Sequence, residues 1–121
     1  ALRRDDRQFH FSPGWRQLGG AGAMLGTLSR SSKPNAFATL RFNGTGIAVV
    51  APAIRGQGVM EVCVDPGTSA EECEVIDLAS LRPRRSRVVV AVLDGLDPGW
   101  HMLRVRVLSG RVDLDGAVIL Q

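Results

Sequence analysis

The sequence has no tyrosine and a single lysine, Lys33, and aromatic residues make up only 5 % of it. So few aromatics argue against a binding surface assembled from many stacking platforms. With lysine nearly absent, the net charge of +3 is carried by arginine. These arginines alternate with valine and leucine instead of gathering into one patch, so a nucleic-acid partner is set aside. No apolar run is long enough to cross a membrane as a helix, which sets aside membrane insertion by that route. The opening Ala1–Asp6 lacks the apolar region of a signal peptide, so a signal or anchor would lie outside this chain. There are two histidines, His10 and His101. No Gly-x-Ser-x-Gly elbow and no glycine-rich phosphate loop occurs. The sequence therefore reads as non-enzymatic.

What is present is a period of two. Phe37, Thr39 and Arg41 alternate with Ala38, Leu40 and Phe42, and Leu103, Val105 and Val107 alternate with Arg104 and Arg106. Such alternation marks half-buried strands. Glycine, proline, asparagine and aspartate punctuate these runs, and no segment keeps a helical period. Asn43-Gly44, between two strand patterns, predicts a type I′ hairpin, whose central residues need positive φ. That turn also accounts for the formal glycosylation triplet Asn43-Gly44-Thr45. The nearly continuous apolar run of residues 87–93 predicts a central strand covered on both faces. Residues 19–22 read as a flexible link, 25–29 as a polar, edge-like segment, and 79–86 as an exposed crossover loop around Pro83. About ten short strands in 121 residues imply one antiparallel β-sandwich module spanning 1–121, with 1–6 a loose N-terminal segment.

Cys63 and Cys73 flank a loop and sit on consecutive strand patterns, where they can face each other across a hairpin. A disulfide there would restrict the unfolded chain and place the protein in an oxidising, extracellular setting. The alternative is two free thiols. A metal site would need more ligands than two thiols.

Four motifs then follow one another in order. Thr39-Leu40-Arg41-Phe42-Asn43-Gly44-Thr45-Gly46-Ile47-Ala48 is similar to an F-x-G-T-G-V segment, and Met60-Glu61-Val62-Cys63-Val64-Asp65 to a strand ending V-x-V-D-G. Gly95-Leu96-Asp97-Pro98-Gly99-Trp100-His101-Met102-Leu103-Arg104-Val105 is similar to G-L-x-x-G-x-H-T-L-x-V, and Leu114-Asp115-Gly116-Ala117-Val118 to L-D-G-F-x-V. Together they resemble the galactose-binding-like jelly rolls, a superfamily rich in carbohydrate-binding modules. The likeness runs from Phe9 to Leu120. This sequence departs from the pattern at Pro66-Gly67, Cys63 and Met102, which reshapes one loop.

The resemblance implies a jelly-roll fold and an accessory, non-catalytic role in a larger bacterial extracellular protein. The partner would be a glycan or cell-envelope polymer. The alternative is a structural or protein–protein interaction spacer whose partner is a neighbouring domain. It also makes His101 and Asp115 structural residues. The candidate ligand-binding residues are Trp100, the one aromatic expected at the surface, and the outward polar residues Arg104, Arg106 and Asp113. Trp15 and the phenylalanines read as core. No cofactor is expected beyond a structural calcium ion, for which Asp5, Asp6 and Asp115, with Asp113 nearby in sequence, offer hard oxygen ligands.

Overall fold

The computed structural model describes residues 2–19, 26–82 and 84–121. Among these are twelve strands in three antiparallel sheets. The four-stranded sheet contains β1 (Leu2–Asp5), β12 (Gly116–Leu120), β6 (Gly46–Ala53) and β9 (Arg85–Leu93), in that order. The five-stranded sheet runs β2 (His10–Phe11), β5 (Phe37–Gly44), β10 (Gly99–Ser109), β7 (Val59–Val64) and β8 (Glu72–Asp77). A small third sheet joins β11 (Val112–Leu114), β4 (Thr27–Ser31) and β3 (Arg16–Gly19). A 3-10 turn, Asp6–Gln8, follows β1. The all-β sandwich expected from the alternation is the observed architecture.

The alternating strands supply its core. Leu103, Val105 and Val107 of β10 are fully buried, as are Met60, Val62 and Val64 of β7, and Ala38, Leu40 and Phe42 of β5 lie beside them. Ile47, Val49 and Ala51 of β6 complete the opposite layer of the same cluster. Each large aliphatic group buried in this way contributes about 1.5–3 kcal/mol, which makes the inner faces the main source of stability.

The architecture departs from the sequence reading at β4, which is the middle strand of its sheet with Ser29 buried although 25–29 read as edge-like, and in three further places. Asn43-Gly44 does not form a hairpin. Neither residue has positive φ, and β5 and β6 belong to different sheets, so the segment is a crossing from one layer to the other. Gly44 is needed there for closeness: a Cβ on it would collide with the Leu120 carbonyl oxygen. Secondly, β9 is an edge strand and not a central one. Val89 and Val92 are 49 % and 43 % exposed, whereas every residue of β6 is buried. Thirdly, residues 2–5 are not loose. β1 pairs with β12 from Leu2↔Ile119 to Asp5↔Gly116. The chain is held further because the Asp6 amide donates to the Asp115 carbonyl at 2.9 Å.

Gly19 ends β3, and the rest of the expected flexible link, residues 20–22, lies outside the described residues, as do Leu25 and Pro83.

Candidate functional site

The outward face of the five-stranded sheet carries three of the four ligand-binding candidates. Strand alternation forces this: with Leu103 and Val105 inward, Trp100, Met102, Arg104 and Arg106 lie on the opposite face. Register aligns Arg104 with Thr39 and Cys63, and Arg106 with Phe37 and Glu61. Side chains two residues apart along β10 stand about 7 Å from one another, so the row from Trp100 to Arg106 is roughly 20 Å long. Trp100 is 64 % exposed, with the Arg41 guanidinium 5.3 Å from its ring centroid in a cation–π contact.

Farther along, Glu61 holds two arginines. Its Oε1 accepts from Arg106 Nη2 at 2.9 Å and Nε at 3.2 Å, and from Arg104 Nη2 at 3.5 Å. Arg104 is the looser of the two, and its buried Nε has no hydrogen-bond partner among the described residues. Phe37 closes the far end of the row and is 42 % exposed. The sequence reading placed Phe37 in the core, yet its alternation with Thr39 and Arg41 already put it on the outer side. Trp15 is half-buried against Phe11, with ring centroids 5.2 Å apart. Beside this face, Cys63 and Cys73 are joined in a disulfide across the paired strands β7 and β8.

Asp113 does not belong to this face. It lies in the small sheet, is 2 % exposed, and accepts from Arg30 Nε at 2.7 Å and Nη2 at 2.9 Å. Gln57 completes the node by donating to its carboxylate and accepting from its amide. The bidentate bond raises the pKa of Arg30 above its ordinary value, with burial opposing. Asp113 is committed to joining three elements, so the outward-facing role read from sequence is incorrect. A shallow pocket of about 370 Å³ lies beside it, lined by Gly14, Trp15, Arg16, Arg30, Ser31 and Ser32.

His101 is held from both sides. Nδ1 lies 2.7 Å from Asp65 Oδ2 and Nε2 2.7 Å from the Asp97 carbonyl oxygen. Asp65 also accepts from the Met102 amide at 3.0 Å. Hydrogen bonding to Asp65, then to Asp97, raises the His101 pKa against the opposing effect of burial. With both ring nitrogens bonded to acceptors, His101 fastens the β7–β8 loop to the start of β10.

At the N-terminus, Asp5 and Asp6 are buried together. Thr27 Oγ1 bonds both carboxyl groups, and Ser29 Oγ donates to Asp6 at 2.6 Å. Burial and then Asp5 raise the Asp6 pKa, with the Ser29 and Thr27 bonds opposing. Burial also pushes Asp5 up, but bonds from Asp6, Arg7 and Thr27 outweigh it and hold Asp5 below its ordinary range. The donors are hard oxygens of the kind calcium takes. However, Asp5, Asp6 and Asp115 do not converge on one point among the described residues.

No protein-family model and no curated protein sequence matches this chain. Solved structures do match. A two-domain esterase active on acetylated mannans superposes with a TM-score of 0.68 at 15 % identity, covering 97 % of this chain and 35 % of the esterase. An exo-β-1,3-galactanase from Phanerochaete chrysosporium gives 0.65 at 16 %, covering 98 % and 29 %. A family 6 carbohydrate-binding module gives 0.64 at 14 %, covering 98 % of this chain and 92 % of the module. The chain thus spans about a third of those two enzymes and nearly all of the module. At these identities the likeness establishes the fold alone: an all-β jelly-roll sandwich, the architecture the four motifs implied.

Proposed function

We propose that this chain is a non-catalytic extracellular module that binds a glycan or cell-envelope polysaccharide along the outward face of the five-stranded sheet. The observation that carries this reading is Trp100, exposed at one end of a row of arginines with Phe37 at the other. Aromatic faces stack on the apolar faces of sugar rings, and guanidinium groups donate paired hydrogen bonds to hydroxyl or carboxylate oxygens. The module-length structural neighbour supports the glycan, and the disulfide supports the oxidising compartment. Retention on a polysaccharide panel tests the reading, with Trp100→Ala expected to weaken binding about tenfold and Arg104→Ala by less. A panel uniformly negative for the unsubstituted chain would overturn it.

A second reading, a structural or protein–protein interaction module, is favoured by Glu61. Its one carboxylate already pairs with both arginines of the row and offsets one of their two charges, which leaves the face with less free charge to offer a ligand.

Within the first reading, Asp5 and Asp6 are the residues that would hold a structural calcium ion, whose charge would offset two buried carboxyl groups. Calcium at a hundred times its Kd would add about 2.7 kcal/mol of stability. An unchanged melting temperature in calcium against chelator would reject the site.

A further inference from the structure

The two sheets end side by side along one edge of the sandwich. β8 closes the five-stranded sheet and β9 the four-stranded sheet, and the two strands lie against each other. Their charges are segregated. β8 and its approach present Glu71, Glu72, Glu74 and Asp77, and β9 and its approach present Arg82, Arg84, Arg85 and Arg87, all exposed. None of these eight forms an ion pair among the described residues. Apolar side chains border the same edge: Val75 is 64 % exposed on one face, and Val89 and Val92 are exposed on the other. Neither strand has a β-partner on its outer side among the described residues.

We infer that this edge docks a second copy of the chain, the acidic β8 of each protomer lying against the basic β9 of the other. Symmetry selects that arrangement. A two-fold axis running along the strands sets β8 opposite the partner's β9 twice over, in one closed, self-complementary interface. An axis normal to the sheets would instead set carboxylates against carboxylates and guanidinium groups against guanidinium groups, which is repulsive. A free polyanion would use only the arginine half of the edge and would meet the adjoining carboxylates. A second copy uses both halves and covers valines on both faces. The strands are 6 and 9 residues long, about 20 and 30 Å, in layers about 10 Å apart. An edge of that size buries roughly 600–900 Å² in total, which fits a weak, salt-sensitive dimer.

Sedimentation velocity over a wide concentration range tests this directly. The chain should form a concentration-dependent dimer that weakens as salt is raised. Reversing β8 alone (Glu72→Lys with Glu74→Lys) or β9 alone (Arg85→Glu with Arg87→Glu) should weaken it about tenfold or more. Combining all four substitutions should restore part of it, because the charges at those four positions are then again opposite in sign across the interface. All substituted residues are exposed, and circular dichroism verifies that each variant folds. A chain that stays monomeric throughout overturns the inference, as does a dimer indifferent to the reversals. A monomer that is held on a sulfated or carboxylated resin through β9 also overturns it, in favour of a polyanion site. Trp100→Ala should leave the dimer intact, so this inference and the glycan reading fail independently.

Discussion

Strands β9 and β10 both carry arginines beside valines, and in sequence they look alike. In the folded chain they are opposites. β10 is an interior strand of its sheet, and its Arg104 and Arg106 are drawn to Glu61 on the neighbouring β7. β9 ends its sheet, and the arginines of its first half meet no carboxylate among the described residues. The difference shows that a strand's position in the sheet order decides what its charges are for. On β10, with a strand on each side, the arginines find a partner within the chain, and on the edge strand β9 they stay open to solvent.

The buried face of β10 and the outward face of β9 offer the strongest contrast. Leu103 is fully buried, so Leu103→Ala should cost about 2–5 kcal/mol of unfolding free energy. Val92→Ala on β9, where the side chain is 43 % exposed, should cost less than about 1 kcal/mol. Urea denaturation of both variants checks this, and similar losses would contradict the exposed, outward placement of Val92. Next, replacing Cys63 and Cys73 together by serine releases β8, the edge strand beside β9. The loss should be about 2–3 kcal/mol, set by the chain entropy of the loop they close, and denaturation with and without reductant would give the same figure.

A smaller change would make β10 behave like β9. Glu61→Gln frees both arginines and should lower stability by about 1 kcal/mol. It should also strengthen binding of a carboxylate-bearing polysaccharide several-fold, as measured by affinity electrophoresis. The smallest effect concerns the start of β10. The His101 pKa is raised in the folded chain, so its contribution to stability is fully present below the unfolded value of about 6.5. It is lost as pH rises through the folded value. Asp65→Asn should flatten that part of the stability–pH profile, and an unchanged slope would mean that His101 is not the titrating group.

Strand-by-strand alternation was legible because it is local. It placed the faces of β5 and β10 correctly, including, once followed strictly, the outward Phe37. The cystine was legible for the same reason, since its residues sit in register on consecutive strands. Sheet membership was not legible. Asn43-Gly44 has the chemistry of a tight turn, but the sheet that β6 joins is decided by β12 and β9, far away in sequence. The same limit hid the fate of charges. That Asp113 would be claimed by Arg30, and Arg106 by Glu61, depends on strand neighbours 83 and 45 residues away. Of the four proposed ligand-binding residues, the three on β10 share a face because alternation fixes them together, and the fourth does not join them.

The pairing of β1 with β12 bears on how such a module hangs in a longer polypeptide. Leu2 stands opposite Ile119, at the spacing of about 5 Å between paired strands. Anything fused before the first strand and after the last would therefore leave from nearly the same point. A domain attached in this way is a pendant on a single stalk: it adds reach to the side of the polypeptide and almost no length along it.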